Sequence, residues 1–442
     1  MQARPQGGGA KLGRAALLAW NDSSVLAVAL VALAAGFGQF GAVAALGGVA
    51  KTFGHITTGE SISARAGLSA GTLGVGLAII RLASLGGMPL AGLADRLGRR
   101  STMLVTCAAG LLLTAAAALS PSYWWFVAIF ALGRPMLSAT NALSEVQAGE
   151  LTSSGGRAKA VALVTAGYGV GAGLIAVIYS LARSSLGFRG VFALCMVPLM
   201  LIAIVRNRVP EPERFKERRR LGGPAIRPVR GPLGRRLGCV CLLGFALSVI
   251  TGPANSFVFL YAQNIEHVSG ALTAAMVAMA GPSGLVGLLL GRWMADTIGR
   301  RPSIVVAMSA LALFGVLVYS GGTAPLVIGY VLGIFAGGLI APALGAFLNE
   351  IFPTSIRASA AGWYIAAGVV GATAGLVVFG VVSTAENNLS VAALLTFLPA
   401  LPALVVLRWL PESRGKEPED LSGEGPEPHL AQEPTAREVA PR

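Results

Sequence analysis

The stretch Gly92-Leu93-Ala94-Asp95-Arg96-Leu97-Gly98-Arg99-Arg100 lies between two long apolar runs, and its core returns at Asp296, followed by Gly299-Arg300-Arg301. Three further landmarks repeat in the same way. Leu132-Gly133 matches Leu332-Gly333. Glu150 precedes Arg157-Ala158 as Glu350 precedes Arg357-Ala358, and Pro210-Glu211 matches Pro411-Glu412. All four shift by 200 or 201 residues. A shared register of that kind marks an internal duplication.

What surrounds these landmarks is hydrocarbon. Of the 442 residues, 54% are apolar types and 12% are charged, with a mean hydropathy of +0.71. A soluble domain carries about 25% charged residues, so a water-soluble globule is excluded, as are bulk disorder and a disulfide scaffold. Twelve apolar runs are long enough to span a bilayer: 25–47, 67–91, 101–120, 123–148, 160–183, 188–206, 238–262, 270–293, 302–321, 324–349, 357–383 and 388–410. Lipid satisfies no backbone N–H or C=O group, so each run must be helical. Membrane β-barrels would give shorter, alternating segments.

The runs divide the chain into an amino-terminal segment 1–24, a six-helix bundle 25–206, a linker 207–237, a second six-helix bundle 238–410 and a tail 411–442. The linker is rich in Arg, Pro and Gly (Arg218-Arg219-Arg220, then Gly222-Gly223-Pro224), and the tail is rich in Glu and Pro. The tail's composition predicts disorder. The fold expected is therefore all-α, an integral membrane protein of two pseudo-symmetric halves with a solute path between them.

Lys and Arg total 34 against 20 acids, a net charge of +14. In a soluble chain this would raise nucleic acid as a partner. Here the excess follows topology. With the amino terminus inside, 28 of the 34 fall on cytoplasmic segments, and the external loops hold Lys51, Arg65, Arg183 and Arg189. That asymmetry predicts both termini in the cytoplasm of a multi-pass protein of the cell membrane. The first 24 residues show no cleavable signal. The four cysteines read as small buried side chains. A monomer is the default expectation, with the lipid bilayer as its surroundings.

The segment Gly92–Arg100 resembles the signature loop of the major facilitator superfamily. Gly133-Arg134, Glu150, Arg157 and Gly187-Phe188-Arg189 with Phe192 resemble the branch of sugar porters and metabolite:proton symporters. So do the half-ending motifs Pro210-Glu211-Pro212-Glu213-Arg214 and Pro411-Glu412-Ser413-Arg414-Gly415. The resemblance covers about residues 20–416 and implies alternating access. It also implies a conformational latch built from Asp95, Arg96, Gly98, Arg99, Arg100, Glu150 and Arg157, with its second copy at Asp296, Arg300, Arg301, Glu350 and Arg357. The chain departs from the pattern in four places. Ala91 stands where the loop usually has its leading Gly, with Gly92 one later, and the second copy has Trp293 in place of that Gly. Span five lacks the Gly-Pro element of drug/proton antiporters, and span one lacks the acid that many proton symporters carry.

Two charges fall inside spans, Arg81 and Arg134. An Arg at a helix centre costs about 2.5–3.5 kcal/mol on insertion scales, so each needs a buried partner, a wet cavity or an anionic ligand. In span four Arg134, Ser138, Asn141 and Glu145 follow at intervals of 4, 3 and 4, which puts them on one helical face. That stripe faces either a cavity or a structural network. Span one offers only Gln39 as a strongly polar group. The two deep cations thus point to an anionic solute, which an Arg fork can bind bidentately. Glu145 is the candidate proton site, because a carboxyl in low dielectric can exchange a proton near neutral pH. Asn255 in Gly252-Pro253-Ala254-Asn255 can donate to and accept from a substrate, or sit satisfied at a simple kink. Tyr168 and Tyr179 share one face of span five and read as packing.

No phosphate-binding loop, nucleophile–base set or metal cluster is visible, so neither an enzyme nor a cofactor is expected. The reading is a secondary transporter of a small polar solute, favoured as an organic anion or metabolite imported with protons. Its substrate would be bound by Gln39, Arg81, Arg134, Asn141 and Asn255. The alternatives are an exporter of amphipathic compounds and, from another class, a non-transporting membrane sensor.

Overall fold

The computed structural model describes residues 23–55, 61–152, 157–211 and 232–414. Segment 1–22, linker residues 212–231 and the tail beyond 414 lie outside the described residues, as do the side chains of Asp95 and Arg157. The expected disordered tail, the basic linker and the Asp95 and Arg157 parts of the latch thus lie outside the described residues.

Among the described residues every regular element is helical. The first half holds α1 (Ser23–Ala44), α2 (Leu46–Phe53), α3 (Ile62–Ala66), α4 (Ala70–Ala83), α5 (Gly87–Leu97), α6 (Arg99–Ala116), α7 (Tyr123–Leu151), α8 (Arg157–Ala193) and α9 (Met196–Val205). The second holds α10 (Pro232–Leu260), a π-helical turn Tyr261–Ile265, α11 (Gly270–Thr297), α12 (Arg300–Val318), α13 (Thr323–Glu350), α14 (Thr354–Ala385) and α15 (Leu389–Phe397), which runs on as a 3-10 helix to Trp409.

Eleven helical stretches among them are long and apolar enough to cross a membrane. The remaining run, 188–206, is present in two pieces. Gly187 breaks α8 with φ 58°, a left-handed conformation that favours glycine. The helix resumes at Phe188, turns at Leu194-Cys195 and continues as α9. The count read from hydropathy therefore agrees with the twelve-helix architecture.

The duplication is visible in local chemistry. The Ser69 hydroxyl caps α4 by accepting from the Thr72 N–H, and Ser269 caps α11 by accepting from the Leu272 N–H. Gly98 and Gly299 open α6 and α12 with φ of 106° and 109°. Within the halves, α1 packs on α8 as α10 packs on α14. Both contacts rely on glycine: a Cβ on Gly171 would stand 2.0 Å from the Leu33 carbonyl oxygen, and one on Gly371 would stand 2.2 Å from that of Phe245. The Gly-rich run 167–173 is thus a close-packing surface, as its Gly-x-x-x-Gly spacing predicts.

Between the halves, α4 packs on α14 and α8 on α11. The end of the molecule carrying Arg99-Arg100 and Arg300-Arg301 is called the basic end below, and the other the far end. The four cysteines are free, with Cys107 and Cys195 buried.

Candidate functional site

In the first half, three helices bring polar side chains together at mid-depth. From α7, Arg134 donates through Nη1 to the Gln39 carbonyl oxygen of α1 at 3.1 Å. From α8, the Tyr168 hydroxyl donates to Gln39 Oε1 at 3.3 Å. Tyr168 stands within electrostatic reach of both Arg134 and Arg81, and the two guanidiniums repel each other. Gln39 is 5% exposed. Its Nε2 is buried without a hydrogen-bond partner, as are the Nε atoms of Arg81 and Arg134. Among the described residues neither arginine forms an ion pair. Buried donors left open in this way favour an acceptor that is not part of the fold.

The polar stripe of α7 continues from there. Arg134, Ser138, Asn141 and Glu145 are all half-buried on that helix. Asn141 donates through Nδ2 to Glu145 Oε1 at 3.4 Å, and its Oδ1 is buried without a partner. Thr140 and Ser144, on the adjoining face, return their hydroxyls to the carbonyls of Met136 and Thr140. They are satisfied, whereas the stripe is not.

In the second half Asn255 donates to the Thr251 carbonyl of its own helix at 2.9 Å. It also lines a cavity of about 320 Å³ together with Tyr330, Gly333 and Gly337. A Cβ added at Gly333 or Gly337 would meet nothing within 4 Å, so these positions present a smooth apolar wall.

The basic end holds the two repeated loops. Glu211 accepts the backbone N–H of Arg99 at 2.7 Å and, through its second oxygen, that of Arg100 at 3.2 Å. Glu412 does the same for Arg300 at 2.8 Å and Arg301 at 3.0 Å. Each carboxylate thus caps a helix N-terminus and meets its positive end. The Arg99 side chain reaches Glu150 at 3.0 Å. Arg300 reaches Glu350 at 3.0 Å and Asp296 at 3.3 Å. Arg100 donates to the Arg206 carbonyl at 3.0 Å. Arg96 is exposed. Arg357 donates to the Phe352 carbonyl at 3.3 Å, fastening the end of α13.

The far end joins the halves. Asn264 donates to the Gly47 carbonyl at 3.1 Å and to that of Ala66 at 3.3 Å. Arg183 donates to the Val268 carbonyl at 3.0 Å, and Arg65 to that of Ile265. The Ile62 N–H donates to Asn387 Oδ1 at 2.7 Å, and the Gly71 N–H to Thr384 Oγ1 at 2.8 Å.

The structure therefore gathers Gln39, Arg81 and Arg134, and separately joins Asn141 to Glu145. Asn255 belongs to a different cavity wall. Sequence reasoning missed Tyr168 as a polar partner and Asn264 as a bridge between the halves. The spacing of Tyr168 and Tyr179 put both on one face but could not distinguish packing from hydrogen bonding. Asn264 carried no motif.

A family description for the Major Facilitator Superfamily matches residues 26–321 and 282–439, and the chain belongs to that family. It is a multi-pass membrane transporter, not an enzyme. It is 24% identical over 390 residues to a "Probable 4-methylmuconolactone transporter" of Cupriavidus pinatubonensis, covering 84% of this chain and 90% of the other. It is 25% identical over 386 residues to a gallate transporter of Pseudomonas putida, covering 77% and 81%. Its fold is similar to the inward-open xylose transporter XylE of E. coli, with TM-score 0.68 and 19% identity over 90% of this chain and 99% of that one.

Proposed function

We propose that the protein imports a small organic anion together with protons, by alternating access between the halves 25–206 and 238–410. The observation that carries this reading is the Arg134–Gln39–Tyr168 cluster, with Arg81 in electrostatic reach and buried donors open. A carboxylate would accept from those donors and offset the repulsion between the guanidiniums. The apolar cavity beside Asn255 supports a substrate with a flat hydrocarbon body. The names of two relatives, a probable 4-methylmuconolactone transporter and a gallate transporter, support an organic-acid substrate.

Glu145 is the group we assign to proton exchange, on the strength of its half-buried position and its contact with Asn141. The paired loops at Arg99–Glu150 and Arg300–Glu350 act as latches of the basic end. The hydrogen bonds at the far end support a state open toward the basic end. In this reading both termini are cytoplasmic and the working unit is a monomer in the cell membrane.

Counterflow of labelled aromatic and unsaturated carboxylates in proteoliposomes tests it, with the matching amides as controls. Uptake of the acids and not the amides is expected, and Arg134→Gln should abolish it. Acid uptake that survives both Arg134→Gln and Arg81→Gln sinks the anion reading. Unchanged pH dependence in Glu145→Gln sinks the proton assignment.

A further inference from the structure

At the far end a second cleft of about 450 Å³ lies between the halves. Lys51 of α2 and Arg183 of α8 line it from one side, and Gln263 and His267, from the π-helical turn and the residues after it, from the other. Lys51 and Arg183 repel each other. Gln263 is 4% exposed, and its Nε2 is buried without a hydrogen-bond partner. No carboxylate is among the described residues that line the cleft. The nearby acid, Glu266, is turned away and accepts the Gly322 N–H at 3.1 Å. The Asn264 amide is committed to the Gly47 and Ala66 carbonyls, so it braces the wall. Tyr179 and Phe188 add ring surface.

The lining is thus two cations, an open amide donor and an imidazole, set against aromatic faces and without an internal counter-charge. Its size falls within the range of small-ligand pockets, about 300–1,000 Å³. Two like charges held around one cavity are relieved by an anion, and an amide N–H beside them adds a directed bond.

We propose that this cleft is a second binding site, distinct from the mid-depth cluster, for a small organic carboxylate. The bound carboxylate contacts Lys51 and Arg183 of one half and Gln263 of the other. It therefore bridges the halves at the far end. The proposal stands apart from the transport reading, because it uses none of Gln39, Arg81, Arg134 or Tyr168.

The test is calorimetric titration of the full-length protein in nanodiscs with benzoate, benzamide and inorganic phosphate. In the Arg81→Gln/Arg134→Gln background, which removes both mid-depth cations, benzoate should still bind. Adding Lys51→Gln should weaken that binding at least tenfold. Adding Gln263→Met, which keeps the volume and removes the donor, should weaken it several-fold. Neither change touches the Arg183–Val268 bridge, so both variants should elute and melt like their parent. Benzamide should not bind, and phosphate should bind more weakly than benzoate. The proposal is overturned by benzoate affinity unchanged in both variants, by benzamide binding as tightly as benzoate, or by phosphate matching it. Identical benzoate binding in wild type and in the Arg81→Gln/Arg134→Gln background would instead remove the mid-depth site and leave the cleft standing.

Discussion

Arg300 and Glu350 meet in a bidentate pair, Nε to Oε2 at 3.1 Å and Nη2 to Oε1 at 3.0 Å. The side chains are 13% and 22% exposed, so the pair is largely shielded from screening. Removing Glu350 leaves the Arg300 guanidinium with only the more exposed Asp296 carboxylate, at 3.3 Å, and loses two charge-assisted hydrogen bonds, at a cost of about 1.5–3 kcal/mol. Glu350→Gln should therefore lower the melting temperature of the purified protein by several degrees. Glu350→Asp should fall between. An unchanged melting curve in Glu350→Gln would show that the pair adds nothing to the folded state.

Tyr168 joins the mid-depth cluster through its hydroxyl, which donates to Gln39 Oε1. Tyr168→Phe deletes that bond and keeps the ring. A neutral hydrogen bond contributes about 0.5–1.5 kcal/mol, so the half-saturating concentration for an acid substrate should rise about two- to tenfold. The maximal rate should change little, provided the hydroxyl positions Gln39 and takes no proton. Concentration-dependent uptake in proteoliposomes separates the two parameters.

Gly74 faces the other half across the far end, where an added Cβ would stand 2.5 Å from the Leu376 carbonyl oxygen and 3.2 Å from the Gly380 Cα. Both contacts are backbone and cannot yield as a flexible side chain would. Gly74→Leu should leave each half folded while pushing α4 and α14 apart. A cysteine placed at Thr384, whose hydroxyl accepts from the Gly71 N–H, should become more reactive to a membrane-impermeant maleimide. Unchanged labelling would argue that the far end is not a closing surface.

Burial and the Arg183 guanidinium lower the pKa of Lys51 below its ordinary value. The folded protein therefore holds fewer protons at this site than the unfolded chain between the two values. The penalty of keeping the ammonium in place is fully present below the folded pKa, and it is gone above the ordinary lysine range. Lys51 should thus acylate at lower pH than a lysine with an ordinary pKa, as read by mass spectrometry after brief acetylation. Arg183→Gln and added benzoate should each move its half-reaction point upward. A point insensitive to both would contradict the repulsion.

Much of the architecture is legible in the sequence. Hydropathy located the spans because lipid leaves helices as the only solution for long apolar runs. The offset between Gly98 and Gly299 marked two copies of one helix start. The mid-depth cluster was legible only in part. Arg134 and Arg81 stood out because charge inside a span is costly, but their nearness depends on how α4 and α7 pack. Tyr168 looked like core because its partner, Gln39, is 129 positions away. Glu211 and Glu412 were visible as half-ending motifs, yet their capping role needs a helix start about 112 residues earlier. Asn255, read as a substrate contact, spends its amide on Thr251, a local bond that periodicity does not reveal.

The acids that follow the last helix of each half, Glu211 and Glu412, turn back onto a helix start within that same half. Each bundle is consequently fastened shut by its own chain, and neither carboxylate cap has to break in the proposed alternation between the halves. A gene cut anywhere between codons 212 and 231 would leave both fastenings whole. Two separately synthesised fragments should then reassemble along the far-end seam into one working carrier.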